Sequence, residues 1–180
     1  MNEEKEEHGV KKLLIVVDYQ KDFVDGALGF PGAEKLAERI QAKVEAYRQA
    51  GDEVVFTFDT HTKDYLQTQE GRNLPVPHCV EGSEGWELYP PLKVRAGETC
   101  FKKPTFGSAE LFDYLRANPY ESIELVGLVS SICVISNAVL AKAAQPETPI
   151  LIPSDCTDSF DKELHAAALN VMAGLQMKVI

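Results

Sequence analysis

The chain has 180 residues, 44% of them hydrophobic and 26% charged, the composition of a folded globular protein and not of a disordered or fibrous one. Lys and Arg number 18 against 28 Asp and Glu, and the net charge of −10 works against binding nucleic-acid backbones or anionic membranes. At roughly 150 residues per domain, the acidic, polar residues 1–10 read as a flexible tail before a single domain over 11–180.

In chain order, the run LLIVV (13–17) has the continuous apolar character of a strand buried on both faces. It ends in Asp18. A carboxylate there is costly to bury without a role, and a loop cap is the alternative reading. Residues 33–50 carry Leu36, Ile40, Val44 and Tyr47 at helical spacing, and Gly51 stands where a C′ glycine ends a helix. A second buried strand, VVFTF (54–58), runs into Asp59-Thr60-His61. Asp59 and His61 point to one side of an extended segment. With His78 they make the two-histidine, one-carboxylate set that binds Zn²⁺, Fe²⁺ or Mn²⁺, although a polar loop held by hydrogen bonds would use the same residues. Residues 59–97 have weak periodicity and hold Pro75, Pro77, Pro90 and Pro91; so long an irregular stretch is usually functional.

A short strand near 98–101 leads into Lys102 and Lys103, either of which can face a site. A helix over 108–117, the strand SIELVGL (122–128), a helix over 132–144, the strand PILIP (149–153), a helix over 161–173 and a last strand at 177–180 follow. Cys133 falls at a helix start, where amides and the dipole stabilise a thiolate and can form an oxyanion hole. A small buried hydrophobe is the plain alternative. The alternation predicts an α/β three-layer sandwich, a mostly parallel central sheet with helices on both faces, and sites at the carboxyl ends of its strands. A carboxylate, a lysine and a cysteine that each follow a strand converge on a cysteine hydrolase whose cation lowers the thiol pKa.

Cys79, Cys100, Cys133 and Cys156, spaced by 21, 33 and 23, form no CxxC pair and no zinc-finger pattern, so free thiols in a reducing, cytoplasmic setting are expected. The uncharged stretch 125–141 includes Gly127, Ser130, Ser131, Ser136 and Asn137 and is too short and polar for a membrane span. The polar start predicts no secretory signal.

Five spaced motifs carry a resemblance: D-Y-Q-x-D-F (18–23), D-T-H (59–61), P-H-C-x-x-G-x-x-G (77–85), K-P-T-F-G-S (103–108) and G-L-V-S-S-I-C-V (127–134). From about Lys12 to the C-terminus the chain resembles the isochorismatase-like cysteine hydrolases and, within them, the nicotinamidases (pyrazinamidases). The resemblance implies the isochorismatase-like hydrolase fold and a catalytic triad of Asp18, Lys103 and Cys133. It implies one divalent metal ion, zinc or else iron or manganese, on Asp59, His61, Glu70 and His78. It also implies Phe23 against the substrate ring, and a non-proline cis peptide before Val129 that aims amides 129 and 133 at the substrate oxygen. The activity implied is hydrolysis of nicotinamide to nicotinate and ammonia, and of pyrazinamide, through a thioester, feeding NAD recycling. The protein implied is a cytoplasmic homo-oligomer that takes a small carboxamide and binds neither nucleic acid nor membrane.

Ser130-Ser131 stand where Thr-Asp is more usual and Gly107-Ser108 where Ser-Ala is common; neither departure touches the triad. The rival readings are an isochorismatase or N-carbamoyl hydrolase, which typically lack the full metal set, and a catalytically silent binding protein on this fold, which an intact triad argues against. A thiol redox protein is disfavoured by the absence of CxxC.

Overall fold

The structure, a computed structural model, describes residues 10–180, so all but Val10 of the expected tail lies outside the described residues. Its sheet is built from β1 (Leu13–Val17), β2 (Glu53–Asp59), β3 (Thr99–Lys103), β4 (Ile123–Leu128), β5 (Ile150–Ile152), β6 (Thr157–Asp158) and β7 (Lys178–Val179). The helices are α1 (Lys21–Val24), α2 (Ala37–Ala50), α3 (Gln69–Asn73), α4 (Ala109–Ala117), α5 (Ile135–Ala144) and α6 (Lys162–Gly174).

Strand β1 shows why the layers form. All five of its residues are fully buried, and successive side chains leave on opposite faces. Leu14 and Val16 join Phe56 beneath Ile40 and Val44 of α2. Leu13, Ile15 and Val17 pack on the other face with Leu111 of α4, Ala138 of α5 and Met172 of α6. Each fully buried aliphatic side chain contributes about 1.5–3 kcal/mol, so the apolar run of β1 anchors both helical layers. The result is the three-layer α/β sandwich that the alternation predicts.

Among the described residues every strand pairing is parallel, in the order β3-β2-β1-β4-β5-β7, with β6 lying alongside the last residues of β4, past those that β5 pairs. The chain builds outward from β1 to β3, then crosses back to place β4 on the other side of β1. The winding therefore reverses between β1 and β4, and in such sheets a crevice opens at that point above the carboxyl ends. Close approach there is steric: Gly127 has φ +113°, and a Cβ on it would lie 2.0 Å from the Val17 carbonyl oxygen.

Gly51 ends α2 as expected, with φ +76° and its amide donating to the Arg48 carbonyl. The helix expected over 132–144 instead opens with a wide π turn, Ser130–Val134, before α5. Periodicity does not detect α1, α3 and β6, because four, five and two residues are too few to show a period.

Candidate active site

Asp18 stands at the carboxyl end of β1, fully buried, in the left-handed region at φ +44°, which Asp tolerates better than most residues. Thr57 on β2 donates its hydroxyl to Asp18 Oδ1 at 2.6 Å. Lys103, the last residue of β3, is 1% exposed and places Nζ 2.6 Å from Asp18 Oδ2, 3.6 Å from Cys133 Sγ and 2.9 Å from the Thr105 carbonyl. Three protons thus meet three acceptors. Neighbours in a strand point to opposite sides, so Lys102 faces outward, 2.5 Å from Glu81 and above the Trp86 ring. Cys133 lies buried in the π turn after β4, and Asn137, one turn on, donates to its carbonyl at 2.8 Å.

Electrostatics modifies one expectation. Burial pushes the Cys133 thiol up, and the Asp18 and Asp59 carboxylates add to it; Lys103 opposes them and does not prevail. Burial also raises Asp18, against the pull of Lys103. Burial alone would lower Lys103, yet Asp18, Cys133 and Asp59 together hold its ammonium well above the ordinary lysine value. The lowering of the thiol pKa expected from a helix start is thus opposed here by burial and by two nearby carboxylates.

Beside this group lies a second. Asp59 Oδ2 is 3.0 Å from His61 Nε2 and 3.3 Å from His78 Nε2, while Glu70 Oε1 is 3.7 Å from each of those nitrogens. All four ligand atoms lie within 4.8 Å of one another. His78 Nδ1 lies 2.8 Å from the Val76 carbonyl, and donating its N–H to that oxygen leaves Nε2 free to bind a cation. Two imidazoles and two carboxylates on one point are the donor chemistry of zinc, iron and manganese. The residues fit a divalent ion. Asp59 is shared between the groups, since its Oδ1 lies 3.7 Å from Lys103 Nζ.

Both groups face a cavity of about 390 Å³ whose floor includes Cys133, Asp59 and His78 and whose walls are largely apolar. Phe23 on α1 lies edge-on to His78, with ring centroids 5.6 Å apart, and Val129 also lines the space. The Leu128–Val129 peptide is cis. All nine residues singled out from the sequence thus gather around one space. The sequence reading missed several supports. Gln20 is fully buried and exchanges two hydrogen bonds with the Asp59 backbone, at 2.8 and 2.9 Å. Tyr65 packs edge-on against His61 and His78, at centroid distances of 4.7 and 5.0 Å. Phe106 and Phe160 form part of the cavity wall. Gln20 and Phe106 carried a signal, as the third letter of the first motif and the fourth of K-P-T-F-G-S.

The model of the isochorismatase domain matches residues 12–180. The chain belongs to the isochorismatase family. A relative described as the uncharacterized isochorismatase family protein PncA of Bacillus subtilis is 32% identical over 178 residues, spanning 91% of this chain and 95% of that one. A crystal structure of nicotinamidase/pyrazinamidase PncA from Bacillus subtilis superposes with a TM-score of 0.83 at 32% identity, over 94% of this chain and 98% of its own. The pyrazinamidase of Pyrococcus horikoshii, solved in complex with zinc, shares the fold at a TM-score of 0.83 and 24% identity, over 94% and 98% of the two chains. This is an isochorismatase-family hydrolase. Among the described residues no helix is long and apolar enough to cross a membrane.

Proposed function

We propose that this protein is a metal-dependent cysteine amidohydrolase that converts nicotinamide to nicotinate and ammonia, and pyrazinamide to its acid. One observation carries the reading: a cysteine–lysine–aspartate group and a two-histidine, two-carboxylate group share one mostly apolar cavity, with Asp59 reaching both. A substrate with a carboxamide on one side and a ring nitrogen on another suits that pairing. The nicotinamidase and pyrazinamidase named among the similar structures support the same class.

In this reading Asp18 accepts the Cys133 proton as Sγ attacks the carboxamide carbon, while Lys103 holds the carboxylate in place. The amides of Val129 and Cys133 donate to the developing oxyanion. Asp18 passes the proton to the departing amino group, and ammonia leaves a thioester on Cys133. Asp18 then takes a proton from the attacking water and returns it to the Cys133 sulfur, which leaves as the acid forms. Phe23 packs on the ring. Asp59, His61, Glu70 and His78 would hold a divalent ion, which would supply a Lewis acid for the ring nitrogen. The free acid feeds pyridine-nucleotide recycling inside the cell, with the protein acting as a homo-oligomer.

The test is ammonia release from nicotinamide by the zinc-loaded protein, before and after treatment with a chelator. Turnover that is lost on chelation and restored by zinc is the expected result. A folded, metal-loaded protein that releases no ammonia would sink the reading.

A further inference from the structure

The segment between β6 and the start of α6 touches the nucleophile turn at two places. Ser130 Oγ, fully buried, lies 2.8 Å from His165 Nδ1 on the first turn of α6. Ser131 Oγ lies 3.0 Å from the hydroxyl of Ser159, which is also fully buried. β6 itself pairs with the end of β4, Leu128 beside Asp158, directly before Val129. Between the two contacts stands Phe160, which lines the cavity. The residues from Thr157 to His165 thus form a strap across the turn that presents Val129 and Cys133.

We infer that Ser130 and His165 are positioning residues for the reaction, and that their contact holds the amides of Val129 and Cys133 at the substrate oxygen. This rests on the amidohydrolase reading above. The physical argument is one of attachment. Ser130–Val134 is a single π turn, a form that occurs mostly as isolated bulges at functional sites, and the amides of Ile132 and Val134 share the one Val129 carbonyl at 3.1 Å, so the turn needs an external hold if its amides are to be fixed to a fraction of an ångström. Both strap contacts fall on its first two residues, next to the amides concerned. Ser130 is too deeply buried to be held by solvent, and the Asp161 cap, which accepts from the Glu163 and Leu164 amides at 2.9 Å, fixes the helix end that carries His165.

The test uses Ser130→Ala and His165→Leu against Ser130→Thr and His165→Asn, which keep a hydroxyl and a nitrogen or oxygen near the Nδ1 position. Losing one oxyanion donor lowers kcat by about 100–1000-fold, and a donor displaced without being lost falls short of that. The first pair should therefore lose kcat by at least about tenfold while KM stays within about twofold, the pattern of an interaction made in the transition state. The second pair should recover most of the loss. Gly51→Ala, which strains the left-handed end of α2 at φ +76° and leaves the strap alone, should lower Tm and keep kcat. Hydrogen exchange over residues 129–134 reads the same hold without substrate: it should speed up in Ser130→Ala and His165→Leu but not in Gly51→Ala. Unchanged kcat and unchanged exchange in the first pair would overturn the inference, as would a kcat loss that Gly51→Ala shares. If the wild-type protein releases no ammonia, the amidohydrolase reading fails instead, and the exchange comparison still decides whether the strap holds the turn.

Discussion

Lys102 and Lys103 are adjacent and chemically identical, yet the pleat gives them opposite environments: one lies beside Glu81 at the surface, the other is locked against Asp18. Lys102→Ala should change stability by no more than about 0.5 kcal/mol, as exposed pairs do. Lys103→Ala strands a buried carboxylate and should destabilise the fold by about 3–5 kcal/mol, read by urea unfolding, while ending turnover. Equal effects from the two variants would contradict the strand register. Cys133→Ala should lower turnover by roughly four orders of magnitude or more, with an unchanged melting curve, since Ala fits the space and keeps the amide. Among the other cysteines, Cys156 is buried and Cys100 exposed, and Cys79, which follows His78, accepts from the His61 amide at 3.0 Å through a backbone carbonyl that alanine keeps, so their alanine variants should keep kcat. In the proposed reaction the Cys133 thiol, pushed up by burial, gives its proton to Asp18. Asp18→Asn should accordingly be as damaging to turnover as losing the sulfur.

At the scale of elements, the short α3 decides where Glu70 stands. Thr68 caps it, its hydroxyl accepting from the Gly71 amide at 2.9 Å, and a Cβ on Gly71 would lie 2.0 Å from the Tyr65 carbonyl oxygen. Gly71→Ala must therefore shift α3 or the turn beneath it. Tyr65 in that turn packs on both histidines, so either shift disturbs the ligand set. Zinc affinity should fall by about 10–100-fold, as measured by competition with a chromogenic chelator. Turnover lost to that change should return at high zinc, which a change in the Cys133 group would not allow. Much of this was illegible in the sequence. A five-residue helix shows no period, so the stretch from Asp59 to Gly97 read as loop even though its Asp59, His61 and His78 stood out by residue type. The long strands and α2 were legible because 5–14 residues sample their period well.

For the molecule as a whole, the reversal of winding between β1 and β4 puts Asp18 and Cys133, 115 positions apart in the chain, over one crevice. β2 and β3, in register through Asp59 and Lys103, bring the ligand group alongside. A substrate gripped at both ends is held in attack geometry, which can supply several kcal/mol. Benzamide keeps the carboxamide and lacks the ring nitrogen, so its kcat/KM should fall at least about 100-fold below that of nicotinamide, while pyrazinamide stays near it. Benzamide turned over as fast as nicotinamide would remove the ring-anchoring role and leave the cysteine chemistry standing. His61→Ala should lower zinc binding and nicotinamide turnover together.

The sequence by itself determined the layers, because continuous apolar runs mark strands buried on both faces and apolar stripes of helical period state which helix faces must cover them. It also determined the candidate residues, since Asp18, Asp59, His61, Lys103 and Cys133 are chemically conspicuous at or just beyond the ends of apolar strands. Only the tertiary structure decided which lysine turns inward, that burial pushes the Cys133 thiol up, and that Glu70 lies 3.7 Å from both His61 and His78. It alone showed Gln20 clamping Asp59 and His165 reaching Ser130. These contacts join residues far apart in the chain through hydrogen bonds and local desolvation, and such pairings leave no periodic trace in a linear sequence.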